Sequence, residues 1–371
     1  MATDLYGYPH VLLGFMAFFV FLIGLVGTVG NLLAAMALLY CPKLRQRSAT
    51  LFMVNLPACL IPVCALGMPM FGAACIQRIY YGRVMLPEWV CVMTFVVGLI
   101  LSQVHIHTIC ALAFNRLIAV LIPAWYKRLM TPSTIKVYLI GLWVYSILLW
   151  LPLACKLGGS LKYIPEEMMV SLDEKSASKA LKGLHVFLTY ILPILFTSIC
   201  YLIMYIKVRV IRKETRTRRA SVVAMTESNI IRQWDDHVTK TILVIYLILI
   251  TCSVPHLVIH VLQLYMKHQV AWLLLHAVFW LQFCLDPIVY VIFSRVYRRA
   301  TWECLASLFP NFGIFQVTEE LGKSEEKSNL KVNNVISSPG CPKHLRPPPQ
   351  KIEFSSEVHR DLLDPKNIAK S

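Results

Sequence analysis

Residues 110–125, CALAFNRLIAVLIPAW, carry a single charge, Arg116. Upstream, from Val90 to Phe114, there is no Lys, Arg, Asp or Glu at all. A guanidinium beside so long an apolar run costs several kcal/mol in a bilayer, so an arginine kept there marks function rather than packing. Working outward, six further apolar runs of membrane-crossing length appear. The seven together cover Val11–Tyr40, Thr50–Cys75, Val90–Ile122, Ile135–Cys155, Leu184–Val208, Val238–Tyr265 and Val270–Phe293. Each is long enough for a helix across a ~30 Å hydrocarbon core. The chain of 371 residues is 57% hydrophobic, against ~45–50% for a soluble domain. The reading is an all-α membrane protein, a seven-transmembrane helix bundle. The first run is too long for a cleaved leader and has no basic flank before it, so it counts as a span.

The net charge of +16 does not indicate nucleic acid, because it is confined to particular loops. Lys43, Arg45 and Arg47 follow the first run, Lys127, Arg128 and Lys136 the third, and a basic run from Lys207 to Arg219 the fifth. The alternate loops are less one-sided: residues 76–89 hold Arg78 and Arg83 with Glu88, and residues 156–183 set five lysines against Glu166, Glu167, Asp173 and Glu174. The positive-inside rule then places the N-terminus outside the cell and the C-terminus in the cytosol, in a multi-pass protein of the plasma membrane. Anionic lipids of the cytosolic leaflet would hold the basic loops close.

The expected organisation is a short extracellular N-terminus over 1–10, the bundle over 11–293, an amphipathic eighth helix over 294–308 and a disordered cytosolic tail over 309–371. In the eighth helix Arg295, Arg298 and Arg299 can face phosphates while Val296, Trp302, Leu305 and Leu308 face acyl chains. The tail is rich in Ser, Lys and Glu and contains Pro347-Pro348-Pro349. There is no internal repeat of the kind transporters show. The 12 cysteines are scattered, without Cys-x-x-Cys or zinc spacing, and no cofactor or metal is implied. Segments expected outside the cell carry no Asn-x-Ser/Thr, so no N-glycan is expected.

Polar residues inside the spans carry the information. Asp286 sits at membrane depth beside Pro287, which removes a helical hydrogen bond and kinks the seventh span. Tyr290 lies one turn on, on the same side. Asn31 lies in the first span and Arg116 in the third; Pro193 and Tyr201 mark the fifth, and Pro255 kinks the sixth.

In order and spacing these residues resemble the rhodopsin-like G-protein-coupled receptors. The resemblance covers residues ~10 to 305. It rests on Gly30-Asn31, Cys91 with Arg116 twenty-five residues later, Trp143, Pro193 and Tyr201, Cys252 with Pro255, Asp286-Pro287-x-x-Tyr290, and Tyr297-Arg298. The Asn115-Arg116 pair and the Asp-Pro-x-x-Tyr ending are similar, distantly, to the melatonin-receptor neighbourhood and its invertebrate orphan relatives. The resemblance implies a non-enzymatic receptor that signals to a heterotrimeric G protein, with arrestin and receptor kinases as further partners. Arg116 would then switch between a resting carboxylate and the G protein. Asp235 is the candidate restraint; it could equally cap the start of the sixth span.

The departures from the family pattern matter as much. Leu60 takes the place of the usual second-span Asp and His105 that of its third-span Ser partner, so a sodium site, which needs oxygen ligands, is not expected. Ser253 stands where the aromatic toggle would be, and Asn115 where an acid usually adjoins Arg116. Cys91 lacks its usual partner, since no cysteine occurs from Lys156 to Ile199; Cys155 or Cys75 could substitute. Gly98 replaces the carboxylate of amine receptors, and Trp280 the Schiff-base lysine of retinal proteins.

The candidate ligand pocket consists of Ser102, Gln103, His185, Thr189, Tyr190, His256, His260, Gln263, His276 and Trp280. Apolar walls with neutral polar tips fit a small neutral or weakly acidic ligand, or a lipid. Histidines that merely satisfy backbone carbonyls are the competing account for these positions. His105 and His107, two apart, point to different helix faces and read as packing residues. On the cytosolic side Arg218-Arg219-Ala220-Ser221 has a basophilic-kinase form, and Cys304 is either a palmitoylation site or a structural thiol. A transporter or channel and an intramembrane hydrolase built on His256-x-x-x-His260 are the rival classes. The first lacks repeats and charges beyond Asp286, and the second an acid in the same layer.

Overall fold

The computed structural model describes residues 3–5, 7–41, 49–157, 159–165, 168–173, 179–217, 225–262 and 269–308. The side chains of Pro123, Lys127, Met169, Lys179, Val208, 211–217, 225–238, His260, Gln269, Arg295 and Val296 lie outside that description. Among the described residues, seven helices are long and apolar enough to cross a membrane. They are α1 (His10–Tyr40), α2 (Thr50–Tyr81), α3 (Glu88–Leu121), α4 (Pro132–Ala154), α5 (Lys179–Val186 continuing through Phe187–Ile191 to Leu192–Thr217), α6 (Met225–Val261) and α7 (Gln269–Phe293). A short helix Pro123–Leu129 links α3 to α4, and α8 (Arg295–Leu308) follows α7. Between α4 and α5 the strands β1 (Leu161–Ile164) and β2 (Met169–Leu172) form an antiparallel hairpin, with Leu161 opposite Leu172 and Ile164 opposite Met169.

Helix ends follow local chemistry. Thr131 caps α4 by accepting the backbone N–H of Thr134 at 3.2 Å, with Pro132 in the first turn where its missing N–H costs nothing. α2 ends on Gly82 in the left-handed conformation (φ 68°). It therefore runs to Tyr81, two turns past the expected Cys75, and carries Arg78 within the helix rather than in a loop. Prolines produce irregular turns: Pro69 follows a π segment Val63–Gly67, and Pro193 follows another over Phe187–Ile191, because a proline leaves a carbonyl unbonded one turn earlier.

The core is a set of helix seams, while the outward faces stay apolar. On α1, Phe18, Leu25 and Val29 are exposed, as a lipid-facing surface requires. The inner face of α1 is glycine-rich, which lets backbones approach closely. A Cβ on Gly27 would lie 2.6 Å from the Cys64 sulfur, and one on Gly30 would lie 2.9 Å from Pro287. This close seam carries Asn31, whose amide donates to the carbonyls of Gly27 at 2.8 Å and Phe283 at 2.9 Å, tying α1 to α7. A second polar clamp joins three helices: Asn55 donates to Thr108 (2.8 Å) while Trp143 donates to Asn55 (3.1 Å).

Candidate functional site

Three layers of polar residues lie along the bundle. The first is a cavity of about 320 Å³ at the end where α1 begins, walled by α2, α3, α5, α6 and α7 and roofed by the β1–β2 hairpin. Ser102, His185, Tyr190, His256, His276 and Trp280 line it, as the sequence predicts, and Gly98 lies in the same wall. Two predicted members do not. Gln103 is fully buried behind the wall, where its carbonyl accepts from the Trp150 indole. Thr189 is also buried and donates to Gln103 at 3.4 Å. Helical geometry gives the reason: Gln103 is rotated ~100° from Ser102, and Thr189 sits in the π segment, where helical phase shifts. Gln263 lies outside the described residues, as does the side chain of His260.

The cavity histidines are engaged within an aromatic cluster. His256 Nε2 lies 3.2 Å from His276 Nε2. His276 also packs edge-on against Trp272 and Trp280, and His256 stacks on Phe279. His185 directs Nδ1 to the Leu181 carbonyl (2.9 Å) and Nε2 to that of Leu149 (3.3 Å). The packing account of these histidines holds in part, since their nitrogens meet protein partners while their edges face the cavity.

A further contact, at a residue that the sequence reading counted only as loop charge, ties the N-terminal segment to α2 and the hairpin. Arg78, fully buried, pairs with Asp4 at 2.5 Å, donates to the Pro165 carbonyl at 3.0 Å and lies 4.8 Å from the centroid of the Tyr8 ring. Asp4 in turn accepts the Tyr8 backbone N–H at 2.8 Å. One guanidinium thus joins the N-terminal segment, α2 and the hairpin. The sequence signal was available: an arginine in phase with an apolar helix that has no stop before Gly82.

The second layer is the bundle centre. His105 Nε2 lies 2.8 Å from Asp286 Oδ2, with both side chains almost wholly buried. Leu60 is fully buried. His105 therefore does more than pack, contrary to the sequence reading. The clue lay in its standing in place of a residue that partners a carboxylate. Ser253 donates to Gln282 at 3.2 Å, a hydrogen bond where the family places an aromatic ring.

The third layer surrounds Arg116. Ser102 and Arg116 are fourteen residues apart on α3, so the two ends of the site are separated by about 21 Å of helix. Arg116 is buried near the end of α3. The Tyr201 ring stacks 5.6 Å from Tyr246, which bonds to Ser198 (2.6 Å) and the Ile194 carbonyl (2.8 Å) and so ties α6 to α5. Among the described residues Asn115, Tyr201 and Tyr290 have buried side-chain polar atoms with no hydrogen-bond partner. Such atoms cost roughly 1–3 kcal/mol each and are expected where a second arrangement supplies the partners. Tyr290 packs 5.1 Å from Tyr297 of α8. Burial pushes the Tyr297 phenol and the Cys304 thiol up from their ordinary values.

Cys91, Cys155 and Cys75 are all free thiols, so the candidate Cys91–Cys155 bridge is not formed here. Cys91 belongs to the cavity wall, whereas Cys155, at the end of α4, is exposed. Ser221 lies outside the described residues, and Asp235 sits in α6 with its side chain outside the description. Cys304 is buried rather than presented at the surface of α8. Among the described residues no group of three metal-ligating side chains occurs.

Comparison with known proteins bears on the fold and the family. The fold matches squid rhodopsin with a TM-score of 0.70 at 18% identity, over 81% of this chain and 87% of that one. In sequence the chain is 23% identical over 318 residues to Protein trapped in endoderm-1 of Drosophila melanogaster, covering 81% of this chain and 80% of that protein. It is likewise 23% identical to the G-protein coupled receptor moody of the same organism, of which it spans about half (52%), over 80% of this chain. It is 25% identical to Somatostatin receptor type 4 of Rattus norvegicus, over 66% of this chain and 60% of that receptor. These likenesses favour neither a transporter nor a hydrolase. The family model for the 7 transmembrane receptor (rhodopsin family) matches residues 30–290, and with a seven-helix bundle that holds its polar residues in three inward layers, the chain belongs to the rhodopsin family of seven-transmembrane receptors.

Proposed function

We propose that the chain lies in the plasma membrane with its N-terminus and cavity outside and Arg116 at the cytosolic end. There it passes the signal of a small neutral or weakly acidic ligand, or a lipid, to a heterotrimeric G protein, and it performs no catalysis itself. The single observation that supports this most is the disposition of α3: one helix carries cavity-lining Ser102 and, about 21 Å away, buried Arg116. Between them His105 holds Asp286 of α7. A ligand that favours one packing of α5, α6 and α7 around the cavity biases the same helices at Arg116. The unsatisfied Asn115, Tyr201 and Tyr290 groups are available to a different arrangement at that end, which a G-protein segment would favour. Arrestin and receptor kinases would act on the same face, with Ser221 and the tail serines as phosphate acceptors and Asp235 as the resting partner of Arg116.

The test is a G-protein dissociation panel in cells, read against a ligand library, together with antibody access to an N-terminal epitope tag on intact cells. Ligand-dependent dissociation of one G-protein class and tag access without permeabilisation are expected. A tag reached only after permeabilisation would reverse the orientation and with it the roles of the two ends.

A further inference from the structure

The cavity's charge inventory is one-sided. Among the described residues that line it there is no Asp and no Glu, while Lys182, His185, His256 and His276 all belong to the wall. Three of these four basic groups already have partners: His185 meets two backbone carbonyls, and His256 and His276 meet each other. Lys182 differs. It is half-buried in the first turn of α5, and among the described residues no hydrogen bond or ion pair reaches its ammonium. A lysine at a membrane edge ordinarily reaches out to water or headgroups. This one forms part of a wall that also includes Phe95, Phe279 and Trp280. An incoming anion would give its ammonium a charge-assisted hydrogen bond that the described wall does not supply.

Resting on the receptor reading above, we propose that the ligand is a single-chain amphiphile with a monoanionic carboxylate head. The carboxylate sits on the Lys182 ammonium at the mouth, and the apolar chain runs inward between α3, α6 and α7. One unpartnered cation matches one negative charge; a dianionic phosphate would call for the bidentate arginine contacts that the described wall does not offer. A cationic amine finds no counter-ion there and meets Lys182 as a like charge.

The experiment uses the full chain in nanodiscs, with thermal unfolding followed against decanoate, decanol and decylamine below their micellar limits. Decanoate should raise the melting temperature most, decanol less, and decylamine least. Lys182→Ala should raise the half-saturating decanoate concentration by about ten- to a hundredfold, the loss of one hydrogen bond to a charged group, with decanol unaffected. Lys182→Arg should keep the order, and Lys182→Glu should invert it in favour of decylamine. No shift from decanoate, equal shifts from all three, or an unchanged decanoate response in Lys182→Ala would each overturn the proposal. Since the readout needs no G protein, its failure leaves the coupling reading intact, and a failure of coupling leaves this one intact.

Discussion

His105 and Asp286 face each other across the bundle centre, Nε2 to Oδ2 at 2.8 Å, with both side chains almost wholly buried. This contact joins α3 to α7 in the place where the family pattern would have a second carboxylate on α2, here the fully buried Leu60. A carboxylate at that depth needs a partner, and the imidazole provides one from within the protein.

Sodium should consequently have no specific effect. Replacing it with N-methyl-glucamine or potassium at equal concentration should leave basal signalling and melting temperature unchanged. His105→Ala strands Asp286 and should lower apparent stability by about 3–5 kcal/mol. Pairing His105→Leu with Asp286→Asn should recover most of that loss, since the uncompensated charge is gone. A sodium-only stabilisation of the wild type would mean that Asp286 builds an ion site despite His105.

Arg78 and Asp4 make a second buried pair, which joins α2 to the N-terminal segment. Arg78→Met leaves the Asp4 carboxylate buried and frees the Pro165 carbonyl, and should cost about 3–5 kcal/mol in thermal unfolding. Arg78→Lys should recover part of it, because an ammonium can meet Asp4 but cannot also span Pro165 and the Tyr8 face as a guanidinium does. The double variant Asp4→Leu/Arg78→Met should be more stable than Arg78→Met alone. Equal melting temperatures for wild type and Arg78→Met would show that the N-terminal segment is not held by this contact.

Cys304 and Cys155 differ in exposure, the first buried in α8 and the second exposed at the end of α4. Burial also raises the Cys304 thiol, so its reactive thiolate is scarcer near neutrality and becomes commoner as pH rises toward the elevated value. Alkylation of the folded chain at neutral pH should label Cys155 first and Cys304 slowly, with the Cys304 rate still climbing above pH 9. Fast labelling of Cys304 at neutral pH would place that face of α8 in solvent and restore it as an accessible acylation site.

The sequence made the bundle legible because hydropathy depends on composition over ~20 residues, and Pro287 acts through local geometry. Cavity positions were legible only to the accuracy of helical phase. Ser102, His256 and His276 reach the cavity, while Gln103, one residue from Ser102, turns away. Thr189 lies in a π segment whose phase no 3.6-residue pattern predicts. The His105–Asp286 and Arg78–Asp4 contacts were not seen because they join distant segments, and which helix faces meet is decided by packing. Lys182 was counted only as loop charge, since its orientation depends on where α5 begins.

The central claim is that Arg116 passes the state of the bundle to a G protein, and the direct measurement is G-protein dissociation at matched surface expression. Arg116→Ala should lose most of its coupling at matched surface expression, because the cation that meets the G protein is gone, and Arg116→Gln, which keeps most of the buried side-chain volume, should lose it as well. Asp235→Ala should raise basal signalling by the factor that corresponds to about 1 kcal/mol of lost coupling, and Arg116→Ala/Asp235→Ala should be as silent as Arg116→Ala. Equal basal signalling in wild type and Asp235→Ala would remove the restraint. Full coupling by Arg116→Ala would contradict the account.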